Sequence, residues 1–191
     1  SNPGQGTSII SDGAADQIVY FEGLEPIQSN VPAASFTIAA FPAAASILQS
    51  NNAINYSAHP LNNTFGRVTI DSFEPIDFQN KGTLVIDAGA GDDVINIANP
   101  NTPTGLTGIT VNGGSPGASD TLIVEAIPGS NNDNVRVRPT AQGAGFVDAD
   151  AFNLPTVSYG AIEEIRLVLQ FSEDDTFAID GTLGDDLFQS Y

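Results

Sequence analysis

The chain has 191 residues, 23 acidic side chains against 5 basic ones, a formal charge of −18, no cysteine and one histidine. A field of that sign repels nucleic acid and anionic membranes, whose binding needs clustered Lys and Arg. The absence of cysteine excludes disulfides and, with His59 the one histidine, a zinc centre.

Residues 1–13 are rich in Gly, Ser and Pro and read as a flexible or partner-ordered lead, with no apolar core of a signal peptide in Ser1–Gly6. Asp16 then introduces an alternating strand, Gln17–Phe21. The segment VYFEGLEPI (Val19–Ile27) returns as VTIDSFEPI (Val68–Ile76) and as VSYGAIEEI (Val157–Ile165), aligned without gaps. Self-similarity of this kind points to a repeat architecture. It divides the chain into a partial repeat over 1–67, a full one over 68–156 and the start of a third over 157–191.

Between the first two copies, Ser35–Ala40, Ser46–Gln49 and Ala53–Tyr56 alternate as short strands. A helix over Ala39–Leu48 is disfavoured by Pro42, and the apolar run there is too short to span a membrane. After the second copy come Leu84–Asp87, the turn GAGDD (Gly89–Asp93) and Val94–Ile97. The matching order after the third is Arg166–Phe171, SEDD (Ser172–Asp175) and Thr176–Ile179. Val135–Arg138 alternates with both arginines on its outer face. Ala141–Ala151 reads as a Gly and Ala loop, and Gly181–Phe188 restarts the acidic-turn unit. Many short strands separated by turns predict an all-β fold. An irregular β-solenoid, parallel and β-helix-like, is favoured because the bends recur, with a β-sandwich as the alternative.

An aspartate stands directly before an alternating strand six times, at Asp16, Asp93, Asp120, Asp133, Asp175 and Asp186, and is doubled at Asp92, Asp174 and Asp185. Asp and Gly are ordinary turn residues, so a structural role is one reading. Calcium is the other, since the ion takes six to eight oxygens from carboxylates, carbonyls and water. The candidate ligands are Asp92, Asp93, Asp174, Asp175, Asp185 and Asp186, then Asp120 and Asp133. AGAGDDVIN (Ala88–Asn96) and GTLGDDLFQ (Gly181–Gln189) follow most of the pattern G-G-x-G-x-D-x-U-x. At these segments the chain resembles the haemolysin-type (RTX) calcium-binding repeats. It is similar also to the repeats of very large secreted surface proteins of bacteria such as planctomycetes. The resemblance implies an extracellular, β-rich, structural or adhesive module, with calcium as its cofactor and no catalytic residues. The aspartates are irregularly spaced, so a regular ladder of shared ions is not expected.

No nucleophile motif accompanies His59, and Glu25, Glu74 and Glu163 are copies of one repeat position, whereas an active site is built once. Lys81, the one lysine, has no marked flanks. The sequence therefore favours a non-enzymatic module assembling head-to-tail into a fibre or surface layer, through Ser1–Ile10 and its open ends. A polysaccharide-binding module comes second, and an acidic lyase or hydrolase third.

Overall fold

Period-two alternation gives each short segment one face for the core and one for solvent. In the computed structural model the described residues, 5–11, 16–22, 27–40, 51–114, 119–125, 134–149, 154–168 and 176–181, form sixteen strands and no helix. In chain order these are β1 (Gln5–Ser11), β2 (Asp16–Glu22), β3 (Ile27–Ser29), β4 (Ala33–Ala39), β5 (Ala53–Ala58) and β6 (Gly66–Ile70). Then come β7 (Ile76–Phe78), β8 (Lys81–Asp87), β9 (Val94–Ala98), β10 (Gly108–Asn112) and β11 (Thr121–Glu125). The last are β12 (Asn134–Ala141), β13 (Ala144–Ala149), β14 (Leu154–Gly160), β15 (Glu164–Val168) and β16 (Thr176–Ile179).

The strands form two mixed sheets and no closed barrel. One has nine strands in the order β16-β12-β13-β14-β10-β8-β4-β1-β2, the other seven in the order β15-β11-β9-β5-β6-β7-β3. At the centre the chain steps from the first sheet to the second four times, β4 to β5, β8 to β9, β10 to β11 and β14 to β15. Each set of four is parallel and in register. Apolar residues therefore stack in columns. Phe36, Leu84, Ile109 and Val157 line one sheet and Ile54, Ile95, Leu122 and Ile165 the other. The columns meet in one core, with Ile54, Leu84, Ile95 and Leu122 fully buried. Phe36, Phe78 and Tyr56 close the β4–β7 end, with ring centroids 5.4 and 6.0 Å apart.

Of the first two copies of the repeated segment only the last positions meet, Ile27 beside Ile76 on β3 and β7; Val19–Glu22 is on β2 in the nine-stranded sheet and Val68–Ile70 on β6 in the seven-stranded one. The third does not join them, since Ile165 pairs with Leu122 on β11. Three further expectations need correction. Ala141–Ala151 is not a loop: Ala144–Ala149 is β13, and Val147 and Ala149 are buried between β12 and β14. Arg166–Phe171 and Thr176–Ile179 do not repeat Leu84–Asp87 and Val94–Ile97 in order. The described part of the former is in the seven-stranded sheet and β16 in the nine-stranded one, the reverse of β8 and β9. Thr176-Phe-Ala-Ile-Asp180 instead matches Thr83-Leu-Val-Ile-Asp87 on β8. The lead is no spare strand either, because β1 is flanked within its own chain by β2 and β4. The segment 41–50 lies outside the described residues.

Candidate functional site

Each crossing into the seven-stranded sheet ends on a polar residue just before the strand: Asn52 before β5, Asp93 before β9, Asp120 before β11 and Glu163 before β15. Parallel register sets these four side by side, about 4.8 Å apart. Their side chains cap one another's backbone. Asp93 Oδ1 accepts the amide N–H of Asn52 at 2.7 Å, Asp120 Oδ1 accepts that of Asp93 at 2.8 Å, and Glu163 Oε2 accepts that of Asp120 at 2.8 Å. An outer series runs the other way. Asn51 Oδ1 accepts the N–H of Asp92 at 2.9 Å and Asp92 Oδ1 that of Ser119 at 3.1 Å. Main-chain bonds from Val94 N to Asn52 O and from Thr121 N to Asp93 O continue the ladder into the sheet.

Asn52 ends the inner series, and its residue type suits that place. An amide can donate as well as accept, and Asn52 Nδ2 gives hydrogen bonds to Asp93 Oδ1 at 3.0 Å and to Ala88 O at 3.3 Å. Asp71 adds one more cap, its Oδ1 accepting Ala53 N at 2.8 Å.

Asp93 has no solvent exposure and Asp120 2%. Burial pushes the Asp93 carboxyl above its ordinary range, opposed by the Asn52 hydrogen bonds and reinforced by the charges of Asp120 and Asp71. Asp120 moves the same way, through burial first, then Glu163 and Asp92, against the Asp93 amide that lowers it. The second oxygen of Asp93, Oδ2, is buried without a hydrogen-bond partner.

Of the eight candidate calcium ligands, the structure brings Asp92, Asp93 and Asp120 together in this ladder, whereas Asp133, Asp174, Asp175, Asp185 and Asp186 lie outside the described residues. Among the described residues no three His, Asp or Glu side chains are grouped so as to hold a metal ion. Scans against protein-family models, curated proteins and solved structures found no match. The ladder is thus read from its own geometry. Asn51, Asn52 and Glu163 are the members that sequence reasoning missed. The available signal was the pair Asn51-Asn52 directly before the alternating Ala53–Tyr56, the same placement as Asp92-Asp93 before Val94–Ile97.

Several other titratable groups are engaged elsewhere. His59 Nδ1 accepts the N–H of Leu61 at 3.1 Å and of Asn62 at 3.0 Å, and Nε2 faces Asp77 Oδ2 at 3.4 Å. His59 thereby ties its own loop to Asp77. Asp77, 1% exposed, is clamped by both Nε and Nη2 of Arg67 at 2.7 and 2.8 Å. Lys81 is fully buried, donates to Val31 O and lies 5.2 Å from the Phe36 ring centroid. Burial holds its amine below the usual lysine range. Glu25 lies outside the described residues. Among the described residues no helix is long and apolar enough to cross a membrane.

Proposed function

We propose that the chain is an extracellular structural module of a bacterial surface assembly. In this reading the four crossings are coils of an irregular β-solenoid, fastened by the turn carboxylates, and the module joins further copies end to end into a fibre or layer. The observation that carries it is the ladder from Asn52 to Glu163, because each rung is bonded to the next by the same contact. Such an array serves length and stiffness, and each added coil adds the same increment of stability.

The ends favour extension. Among the described residues β15 and β16 are edge strands, and Val168, Phe177 and Ile179 on them are 48%, 45% and 38% exposed. Unpaired edges with apolar side chains invite another chain. Strand direction also suits head-to-tail contact. Counting reversals along each sheet, β16 runs parallel to β2 and β15 parallel to β3. Calcium belongs to the proposal at Asp185-Asp186, within one of the two segments that resemble calcium-binding repeats, and at the acidic pair Asp174-Asp175. Asp92, Asp93 and Asp120 already serve backbone amides.

Electron microscopy and light scattering across a concentration series, with calcium and then with chelator, test the reading. Elongated head-to-tail assemblies with calcium are expected, with a lower melting temperature after chelation because an ion held by the folded state alone adds to its stability. Monodisperse monomers at every concentration, unaffected by chelator, would contradict it.

A further inference from the structure

The hairpin β12–β13 interrupts the alternation of coils, entering the nine-stranded sheet between β14 and β16. It also carries chemistry that the rest of the molecule lacks. In a chain with five basic residues, two of them, Arg136 and Arg138, stand two positions apart on the outer face of β12. They border a groove of about 480 Å³, with Asn134, Asp148, Thr176 and Ala178 as further lining. That volume lies within the range of about 300–1,000 Å³ usual for sites that hold small organic ligands.

The polar groups of the groove are fixed. Arg136 gives Nε–H and Nη2–H to the two oxygens of Asp180 at 2.9 and 2.8 Å, a two-point clamp that sets the guanidinium plane. Arg138 Nη2 meets Asp148 Oδ2 at 2.5 Å and lies over the Phe146 ring at 5.4 Å. Asp148 is held in turn by the Thr156 hydroxyl at 2.8 Å, and Thr176 donates to Asn134 Oδ1. Each guanidinium has five N–H donors, so the Asp180 clamp leaves about three on Arg136 facing outward. The Arg136 and Arg138 side chains remain 56% and 45% exposed. Ala178, opposite Arg136 on β16, keeps the floor of the groove low there.

We infer that this groove is a binding site for a neutral polysaccharide. Its two cations are matched by two carboxylates, so it offers oriented donors and acceptors without net charge. That set suits vicinal hydroxyls, which donate and accept together. A polyanion would meet guanidiniums whose charge Asp180 and Asp148 already balance, within a molecule of charge −18. The open side fits a segment of a chain rather than an enclosed small molecule. This goes beyond the structural reading above and stands whether or not the module assembles.

Affinity electrophoresis of the full chain through gels cast with dextran, xyloglucan, galactomannan or polygalacturonate tests it. At least one neutral polymer is expected to retard the protein. Arg136→Ala is expected to weaken that retardation about tenfold, the loss of one charged hydrogen-bonding group. Ala178→Arg, which fills the floor and keeps the Arg136–Asp180 pair, is expected to do the same. Both variants should melt within a few degrees of the parent. The inference is overturned if no neutral polymer retards the protein, if polygalacturonate alone does, or if both variants bind like the parent.

Discussion

Asp93 is buried with one carboxyl oxygen bonded twice by Asn52 and the other without a partner. Its folded-state pKa, like that of Asp120, lies above the unfolded value of about 4. The folded state therefore holds these protons more tightly. The resulting stability is complete below the unfolded pKa and is lost as pH rises through the folded one. Melting temperature should rise as pH is lowered from neutral towards the ordinary carboxylate range, and Asp93→Asn should flatten that rise; a fall over the same window in the parent would contradict the assignment. Asp77 is a buried carboxylate with both oxygens bonded to Arg67. Arg67→Ala strands it and should cost about 3–5 kcal/mol in denaturant unfolding. At this scale the sequence was legible in residue type and not in role. A turn aspartate can cap an amide or bind an ion, and only the parallel register, which sets Asp93 beside Asn52 and Asp120, decides what its oxygens meet. Asn52 escaped notice because it is not acidic, although it holds the end of the series.

The bends that aim these side chains depend on glycine at two adjacent positions. Gly114 has φ +112°, and a Cβ there would lie on the carbonyl of Gly89 in the neighbouring bend, while a Cβ on Gly113 would strike Ala161 O and Asp120. Gly114→Ala should therefore cost about 2–3 kcal/mol by combining strain with overlap; a melting curve unchanged from the parent would show that the bends are not stacked as described. The strands themselves were readable, because Val94–Ile97 and Thr121–Val124 alternate cleanly beside Gly-Asp turns. β13 was not, since Ala144, Gly145 and Ala149 carry little hydrophobic signal and are placed by pairing with β12 and β14. The repeat was readable in part. VYFEGLEPI and VTIDSFEPI meet at Ile27 and Ile76, but the third copy shares the sequence without the neighbours, because strand pairing follows the order of crossings.

At the scale of the molecule, the described residues form two sheets of nine and seven strands around one core, and the chain carries a net charge of −18. Uncompensated charge of that size strains the compact state. The Debye length is about 10 Å at 0.1 M salt and 3 Å at 1 M, so melting temperature should climb with sodium chloride before any specific cation is added; a salt-independent value would mean that the acids are paired in ways the described residues do not reveal. The all-β class followed from pattern alone. The pairing of distant strands, such as β12 with β16, could not, because both edges of a short apolar strand are equivalent until the rest of the sheet is in place. The central claim is that the turn carboxylates tie one sheet-to-sheet crossing to the next by accepting backbone amides. Its most direct test compares thermal unfolding of Asp93→Ala and Asp93→Asn, each with calcium and with chelator. Asp93→Ala removes the acceptor and should lose about 2–4 kcal/mol, whereas Asp93→Asn keeps an oxygen for Asn52 N–H and should stay within about 1 kcal/mol of the parent, with the gap between the two variants the same in chelator. An Asp93→Asn protein that falls as far as Asp93→Ala, and does so only when calcium is present, would contradict the account.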